Sequence, residues 1–150
     1  MSRNDESAEA IGSQESSERA RPDPALDASR RRVLVIDDDD GIRRVIRRSL
    51  DAYEVVTASD GRCALAILET GTDFDLILCD VVMPGMGGVE FWSEVGAAHP
   101  WLLDRFVFMT GGAQTAQDEQ FLASGAVDVV RKPFSFDALR RLVATRVDAL

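Results

Sequence analysis

Short apolar runs alternate along this chain with segments whose apolar residues repeat at a helical period. The strand-like runs lie near residues 32–37, 54–58, 75–80, 105–109 and 127–131. The helical segments lie at residues 41–50, 61–69, 89–95 and 115–124, and from residue 135 onward. Strict alternation of strands and helices is typical of a parallel sheet that is covered by helices on both faces. The pattern therefore predicts an α/β fold with a five-stranded parallel sheet.

Residues at the predicted helix ends support this division. Asp40 and Asp60 stand next to helical segments, where a carboxylate can accept hydrogen bonds from free main-chain N–H groups, so we predict both as N-caps. Ser135 is suited in the same way to open the fifth helix. Gly125 is suited to end the fourth, because glycine readily adopts the backbone conformation that terminates a helix.

The first thirty residues differ in composition from the rest of the chain. They are rich in Ser, Glu, Asp, Arg, Ala and Pro and contain almost no large apolar side chains. Such a segment cannot bury enough apolar surface to offset the entropy that it would lose on ordering. We therefore predict a disordered polar tail over residues 1–30 and a single domain over residues 31–150.

The overall charge excludes some classes of partner. The chain has 150 residues, 45% of them hydrophobic, and a net charge of −9. We expect neither direct DNA binding nor a membrane partner, because nucleic acid and anionic lipid would both repel this charge. The polar N-terminus and the lack of a long apolar run favour a cytoplasmic protein. Cys63 and Cys79 lack metal-ligand spacing, so we expect both to be reduced and buried.

The predicted strands end in residues that suit one kind of chemistry. Asp37 and Asp38 end the first strand, Asp80 the third, and Thr110 follows the fourth, while Lys132 follows the fifth. In a flavodoxin-like sheet with strand order 2-1-3-4-5, the order reverses beside the first strand, so these ends meet in one crevice. Three neighbouring carboxylates need a cation, and a hard divalent ion prefers such oxygen ligands. We therefore predict a Mg²⁺ site, at which Mn²⁺ can substitute, beside Lys132, the only lysine of the chain.

Four segments together resemble a known family, the receiver domain of two-component response regulators. They read VLVIDDD at residues 33–39, DVVMPGMGG at 80–88, FMTGG at 108–112 and KPF at 132–134. The resemblance covers about residues 32–148 and implies the flavodoxin-like (βα)5 fold. It also implies a phosphorylation-dependent signalling switch that catalyses only its own phosphorylation and dephosphorylation. Such a protein acts as a stand-alone regulator or as an intermediate in a phosphorelay.

The resemblance assigns roles to individual residues. Asp80 would be the nucleophile that accepts a phosphoryl group from a phosphohistidine of a partner protein. Asp38, Asp80 and the main-chain carbonyl of Val82 would bind Mg²⁺, and Asp37 would contribute through a water molecule. Lys132 would contact a phosphoryl oxygen and stabilise the charge that develops during transfer.

Two further positions concern the switch itself. Thr110 would swing its hydroxyl group onto the phosphoryl group and move its loop. Many receivers carry an aromatic residue three positions before the lysine, where this chain has Val129. The threonine of the switch is therefore present without the ring that usually accompanies it. The resemblance also implies a cis peptide bond between Lys132 and Pro133.

The first predicted helix indicates a partner surface. Two pairs of like charge lie on this helix and would destabilise it in isolation; they are formed by Arg43, Arg44, Arg47 and Arg48. This basic face is therefore either a solvated face or a docking face for an acidic partner. Receivers similar to this chain meet their histidine kinase or histidine phosphotransfer protein with this helix. We therefore expect such a phosphodonor at these arginines, together with a separate downstream protein target.

Two other functions remain open on the sequence alone. The first is a phosphatase similar to the haloacid dehalogenases, because Asp38-Asp39-Asp40-Gly41 fits their Asp-x-Asp-Gly pattern. Asp38 would then be the nucleophile and Asp40 the acid, which leaves Asp80, Thr110 and Pro133 unexplained. The second is an interaction module that works without phosphorylation, although no acidic residue, acceptor or lysine is missing.

Overall fold

The computed structural model describes residues 30–112 and 115–148, in which strands and helices alternate. The strands are β1 (Arg32–Ile36), β2 (Glu54–Ala58), β3 (Leu76–Asp80), β4 (Phe106–Thr110) and β5 (Asp128–Arg131). The helices are α1 (Asp40–Ser49), α2 (Gly61–Thr70), α3 (Gly88–Ala98), α4 (Ala116–Ala123) and α5 (Phe136–Asp148). The predicted polar tail, except for Arg30, lies outside the described residues, so its disorder stays a prediction.

All five strands form one parallel sheet. Their spatial order is β2-β1-β3-β4-β5, which confirms the predicted order 2-1-3-4-5. The chain moves from β1 outward to β2 and then returns to β3 on the other side of β1. In sheets of this kind, ligands bind beyond the carboxyl ends of the strands at the point where the order reverses. The topology therefore directs attention to the ends of β1 and β3.

Side chains that alternate along the central strands build two separate cores. Val33, Val35, Val107 and Met109 face one side of the sheet, where α1 and α5 cover them. Leu34, Ile36, Phe106 and Phe108 face the other side, which α2, α3 and α4 cover. Because β3 is buried along its whole length, the sheet is rigid where its carboxyl end carries functional groups.

The start of α1 differs from the prediction by one residue. The helix begins at Asp40, and the N-cap is Asp39, whose carboxylate accepts hydrogen bonds from the N–H groups of Gly41 and Ile42 at 2.8 and 3.2 Å. The prediction of Asp40 as the N-cap is therefore wrong, because an unbroken run of aspartates offers several equivalent caps. The predicted cap of α2 is confirmed, since Asp60 accepts a bond from the N–H of Cys63 at 2.8 Å.

Three other local features were not foreseen correctly. Cys63 is exposed on α2, whereas we expected it to be buried, because the inward face of that helix belongs to Ala64 and Leu68. Cys79 is buried in β3 as expected. A 3-10 helix over Pro100–Arg105, which the pattern did not predict, precedes the fourth strand, and β4 begins one residue later than predicted. Within the described residues, no helix has both the length and the apolar character needed to cross a bilayer.

Candidate functional site

Three carboxylates from two neighbouring strands meet at the carboxyl edge of the sheet. Asp37 and Asp38 directly follow β1, and Asp80 is the last residue of β3. One oxygen from each side chain lies within 4.8 Å of the others. Asp37 and Asp80 are buried, whereas Asp38 is exposed and gives the cluster an open side. This acidic cluster could bind a metal ion, because carboxylate oxygens at such spacing are ligands for hard divalent cations.

The chain's only lysine lies against this cluster. The Nζ of Lys132 is 2.8 Å from an Oδ of Asp37, with which it forms a hydrogen bond, and 3.5 Å from an Oδ of Asp80. Lys132 directly follows β5, and its peptide bond to Pro133 is cis. A single ammonium group therefore bridges two of the three carboxylates and leaves their combined charge negative.

The pKa of Asp80 reflects this crowding. Burial and the neighbouring charge of Asp37 raise it from 3.8 to about 6, Asp38 contributes in the same direction, and Lys132 acts against them. Burial alone would lower the pKa of Lys132, but its hydrogen bond to Asp37 and the charges of Asp80 and Asp37 outweigh burial and raise it. The lysine therefore stays charged, while ionisation of the Asp80 carboxyl is disfavoured, and a bound cation would relieve this.

Thr110 ends β4 beside this cluster. Its side chain is buried, and its hydroxyl oxygen accepts a hydrogen bond from the N–H of Gly112 at 3.1 Å. Gly112 has a φ of 96°, a left-handed conformation that glycine adopts without strain. The hydroxyl group thus holds Gly112 in the first turn of the loop after β4. A change in the position of the hydroxyl group would break this hydrogen bond.

The other predicted site residues occupy less central positions. Val82 lies in the loop after β3, with a side chain that is 48% exposed. Val129 is half-buried in β5 and pairs in register with Phe108, so it lies away from the carboxylates. Of the two residues predicted for the switch, Thr110 lies at the edge of the site, whereas Val129 lies among apolar residues of the core beneath the site.

One side chain at the site was missed by sequence reasoning. Arg43 turns inward, and its guanidinium group donates hydrogen bonds to the main-chain carbonyl of Asp37 at 2.6 Å and to the carboxylate of Asp40 at 2.9 Å. It therefore supports the loop that carries the acidic pair. The spacing of six residues from Asp37 places it one turn into α1, but only the position of the helix start could have revealed this contact.

An apolar depression borders the site on the side of Lys132. It is lined by Ile42, Gly111, Lys132, Pro133, Phe134 and Phe136. The rings of Phe134 and Phe136 pack edge to face, with centroids 5.7 Å apart. Helix α1 begins next to this depression and carries the exposed side chains of Arg44 and Arg48. The charged cluster is thus open to a partner over a surface that combines apolar and basic groups.

Comparison with known proteins relates this arrangement to a family. The family model described as the response regulator receiver domain matches residues 33–144. Among curated proteins, the chain is 30% identical over 118 residues to an uncharacterised transcriptional regulatory protein, YrkP, of Bacillus subtilis. That match covers 77% of this chain and 49% of the relative. The chain spans about half or less of the length of the curated relatives it matches first.

Solved structures agree on the fold. The chemotaxis protein CheY4 of Vibrio cholerae superposes with a TM-score of 0.67 and 32% identity, over 78% of this chain and 98% of that one. The response regulator TrrA of Thermotoga maritima was solved in complex with Mg²⁺ and BeF. It superposes with a TM-score of 0.64 and 30% identity, over 77% of this chain and 98% of that one. Because the family model matches more than half of the 150 residues, the chain belongs to the response regulator receiver domain family, whose fold is typical of signalling domains.

Proposed function

We propose that this domain is a phosphorylation-dependent switch whose acceptor is Asp80. A phosphohistidine of a partner protein would supply the phosphoryl group. An oxygen of the Asp80 carboxylate attacks the phosphorus, the P–N bond to the imidazole breaks, and an acyl phosphate forms on Asp80. The reaction moves a group from one protein to another and needs positioning and charge stabilisation more than covalent machinery.

The surrounding side chains suit these steps. The ammonium group of Lys132, 3.5 Å from Asp80, can donate to an oxygen of the incoming phosphoryl group. The hydroxyl group of Thr110 at the neighbouring strand end can donate to another. Because Asp80 is buried at the end of a rigid central strand, its attacking oxygen needs little reorganisation before transfer.

We propose Mg²⁺ as the metal of the acidic cluster. Asp37, Asp38, Asp80 and the main-chain carbonyl of Val82 would hold it, and the chemistry of this donor set fits a hard cation with oxygen ligands. When bound, the ion supplies positive charge that stabilises the phosphoryl oxygens during transfer. The similarity to TrrA, which was solved with Mg²⁺ and BeF, supports this choice.

The observation that carries the proposal is the convergence of three carboxylates and one ammonium group at a single sheet edge. Its test is the intact mass of the protein after incubation with acetyl phosphate, with and without Mg²⁺. We expect one phosphoryl adduct that requires the metal and is lost in Asp80→Asn, while Asp128→Asn at the opposite edge keeps it. An adduct that survives Asp80→Asn would contradict the assignment, and a wild-type protein without adduct would favour a module that works without phosphorylation.

The phosphodonor would dock on α1, and we propose a histidine kinase or a histidine phosphotransfer protein in this role. Arg44, Arg47 and Arg48 are exposed, and Val45 between them is 39% exposed, so the helix offers an apolar centre with a basic rim. Arg43 differs from them because its guanidinium group is engaged at the site. We propose a protein, and not DNA, as the downstream target, because the net charge of −9 repels nucleic acid.

Charge reversal tests this docking surface. In Arg44→Glu/Arg48→Glu, transfer from the phosphorylated partner should slow, because electrostatic attraction governs association, while phosphorylation by acetyl phosphate should stay unchanged. The matched control is Arg140→Glu/Arg141→Glu on α5, which should leave both reactions as they are. Equal slowing of both phosphodonors in the α1 variant would mean that these arginines act on the chemistry and not on docking.

The phosphatase alternative receives no support from these observations. Asp40, its required acid, is the first residue of α1 and forms ion pairs with Arg43 and Arg44. Its side chain is 62% exposed and is engaged by these two arginines at the start of the helix. Family membership favours the receiver, and Asp80, Thr110 and Lys132 then all have a role.

A further inference from the structure

The loop that carries the acidic pair is short and is firmly held at its first residue. Asp37, Asp38 and Asp39 alone join the end of β1 to the start of α1. The carboxylate of Asp37 accepts hydrogen bonds at both oxygens, from the main-chain N–H of Asp39 at 2.9 Å and from Lys132 at 2.8 Å. The main-chain N–H of Asp37 donates to the carbonyl of Ala58 on β2 at 3.2 Å. Asp37 is therefore fixed by its own contacts.

Asp38 is held in a different way. Among the described residues, its side chain has neither a hydrogen bond nor an ion pair. One of its carboxylate oxygens nevertheless lies within 4.8 Å of oxygens of Asp37 and Asp80, although the side chain is exposed. Repulsion from these two carboxylates favours a turn of the Asp38 side chain toward solvent. The place of Asp38 in the cluster therefore depends on its main chain, which sets the direction of its Cα–Cβ bond.

Side chains hold both peptide units that flank Asp38. The unit between Asp38 and Asp39 is held through its N–H, which donates to the Asp37 carboxylate. The unit between Asp37 and Asp38 is held through its carbonyl, which accepts a hydrogen bond from the guanidinium group of Arg43 at 2.6 Å. Because a peptide unit is planar, a bond at the carbonyl restricts the orientation of the whole unit as far as the Cα of Asp38. Arg43 therefore holds the one flank of Asp38 that the aspartates do not hold themselves.

The shape of its side chain suits Arg43 to this task. Its second amino group donates to the carboxylate of Asp40 at 2.9 Å, so the guanidinium group is itself fixed from two directions. Its side chain is 17% exposed, against 67% for that of Arg44. Arg44 pairs with the same carboxylate, but within the described residues it makes no contact with Asp37. A lysine could not replace Arg43, since one ammonium group on a flexible stem lacks the planar fork.

We propose that Arg43 is a positioning residue for the metal. By fixing the peptide unit between Asp37 and Asp38, it holds the Asp38 carboxylate in the cluster that would bind the cation. This inference rests on the proposed Mg²⁺ site and goes beyond it, because Arg43 is not a ligand. Its guanidinium group is positively charged, and this charge alone would repel a cation. Positioning and charge therefore affect the metal affinity with opposite signs, and the sign of a measured change separates them.

Metal binding to two variants tests this proposal. Mn²⁺ is titrated into wild type, Arg43→Gln and Arg43→Lys, free Mn²⁺ is counted by electron paramagnetic resonance, and competition gives the Kd of Mg²⁺. Arg43→Lys keeps the charge and loses the fork, whereas Arg43→Gln loses both. We expect the Kd to rise by about tenfold in both variants, because residues that support metal ligands commonly change the affinity by about 10- to 100-fold.

The metal dependence of phosphorylation gives a second measurement. With acetyl phosphate as donor, the Mg²⁺ concentration at half-maximal rate should rise in both Arg43 variants, while the rate at saturating Mg²⁺ should stay unchanged. This split is expected of a residue that acts on metal binding and not on the transfer itself. A merely structural role of Arg43 would lower the free energy of unfolding and leave the Kd unchanged.

Arg44→Gln is the matched control, because it removes a charge that pairs with the same Asp40 carboxylate. Its Kd should be that of wild type or slightly lower. Circular dichroism checks folding, and Arg43→Lys decides alone if Arg43→Gln does not fold. An unchanged or lower Kd in a folded Arg43 variant would overturn the inference, as would an equal rise in Arg44→Gln. A wild-type protein that binds neither metal would overturn the proposed metal site, and this inference with it.

Discussion

The sheet has an amino edge, where its strands begin, and a carboxyl edge, where they end. The two edges differ in how their charged side chains are paired. At the amino edge, Arg32 forms ion pairs with Asp73 and Glu54, and its guanidinium carbon lies 4.4 Å from the centroid of the Phe74 ring. Its main-chain N–H also donates to the carboxylate of Asp75 at 2.8 Å. Arg31 forms an ion pair with Asp75, and Arg146 forms one with Asp128. Three arginines thus serve the four carboxylates at this edge, and each carboxylate has an ion-pair partner, as expected of groups that stabilise the fold.

The carboxyl edge is not balanced in this way. Asp37, Asp38 and Asp80 share one ammonium group, that of Lys132, and two of the carboxylates are buried. The folded domain therefore keeps repulsion at the edge where the strand order reverses. The difference between the edges teaches that unmatched charge, more than the number of charges, identifies the functional end of this sheet. Four substitutions test this contrast, from the largest expected effect to the smallest.

Removal of the ammonium group should have the largest effect. In Lys132→Gln, the rate of phosphorylation by acetyl phosphate at saturating Mg²⁺ should fall by about two to three orders of magnitude, because a preorganised charge on the phosphoryl oxygens is lost. The rate is measured by intact mass over time. Arg32→Gln, the matched change at the amino edge, should leave it unchanged. Equal rates for wild type and Lys132→Gln would remove Lys132 from the mechanism.

Removal of the charge of Asp80 should stabilise the metal-free protein at neutral pH. The pKa of Asp80 is about 6 in the folded domain against 3.8 ordinarily, so the folded state binds a proton more tightly than the unfolded chain. The free energy of unfolding should therefore fall by about 2 kcal/mol as the pH rises from about 4 to about 6, and it should stay at this lower value at higher pH. Asp80→Asn should not show this loss. Urea unfolding with a chelator at pH 4.5 and 7.5 measures it, and a pH-independent difference between the variants would contradict the assignment.

Loss of a matched charge at the amino edge should have a moderate effect on stability alone. Arg32→Gln gives up contacts with Asp73, Glu54 and Phe74, and its side chain is 25% exposed. We expect the free energy of unfolding to fall by about 1 kcal/mol, equally with and without Mg²⁺. Urea unfolding measures both values. A cost that changes with the metal would mean that the two edges are coupled.

The smallest effect is expected at a more exposed pair of the same edge. Asp128 forms an ion pair with Arg146, but the Asp128 side chain is 60% exposed and is therefore screened by solvent. Asp128→Asn should reduce the free energy of unfolding by about 0.5 kcal/mol or less, and less still in 1 M salt. Thermal unfolding at two salt concentrations checks this. A loss above that of Arg32→Gln would show that exposure is a poor guide to these pairs.

Much of this architecture could be predicted from the sequence because strand and helix periods differ clearly. The alternation of short apolar runs predicted the parallel sheet, the flavodoxin-like fold implied by the resemblance supplied its strand order, and the same runs placed Asp80 at a strand end. The four sequence motifs then predicted that Lys132 lies near Asp80, although the two are far apart along the chain. These are consequences of topology, which depends on pattern more than on detail.

The features that could not be predicted depend on rotation and register. The one-residue difference between Asp39 and Asp40 at the start of α1 decides which arginine turns inward, and it turned Arg43 toward the main chain of Asp37. On α2, whose start and cap were predicted correctly, the inward face belongs to Ala64 and Leu68, which leaves Cys63 exposed. The ring contacts of Phe121 depend on how α4 settles on the sheet. A linear pattern does not specify such angles.

The bond between Lys132 and Asp37 also has a consequence for the synthesis of the protein. It joins residues that are 95 positions apart, and it requires β1, β3 and β5 to be in place together. A nascent chain that has emerged only as far as β4 already carries all three aspartates but not the lysine. Because the lysine follows the last strand, the proposed acceptor site is complete only when the final strand has joined the sheet. Under the proposed function, an unfinished chain would therefore compete poorly with the finished protein for the phosphoryl group.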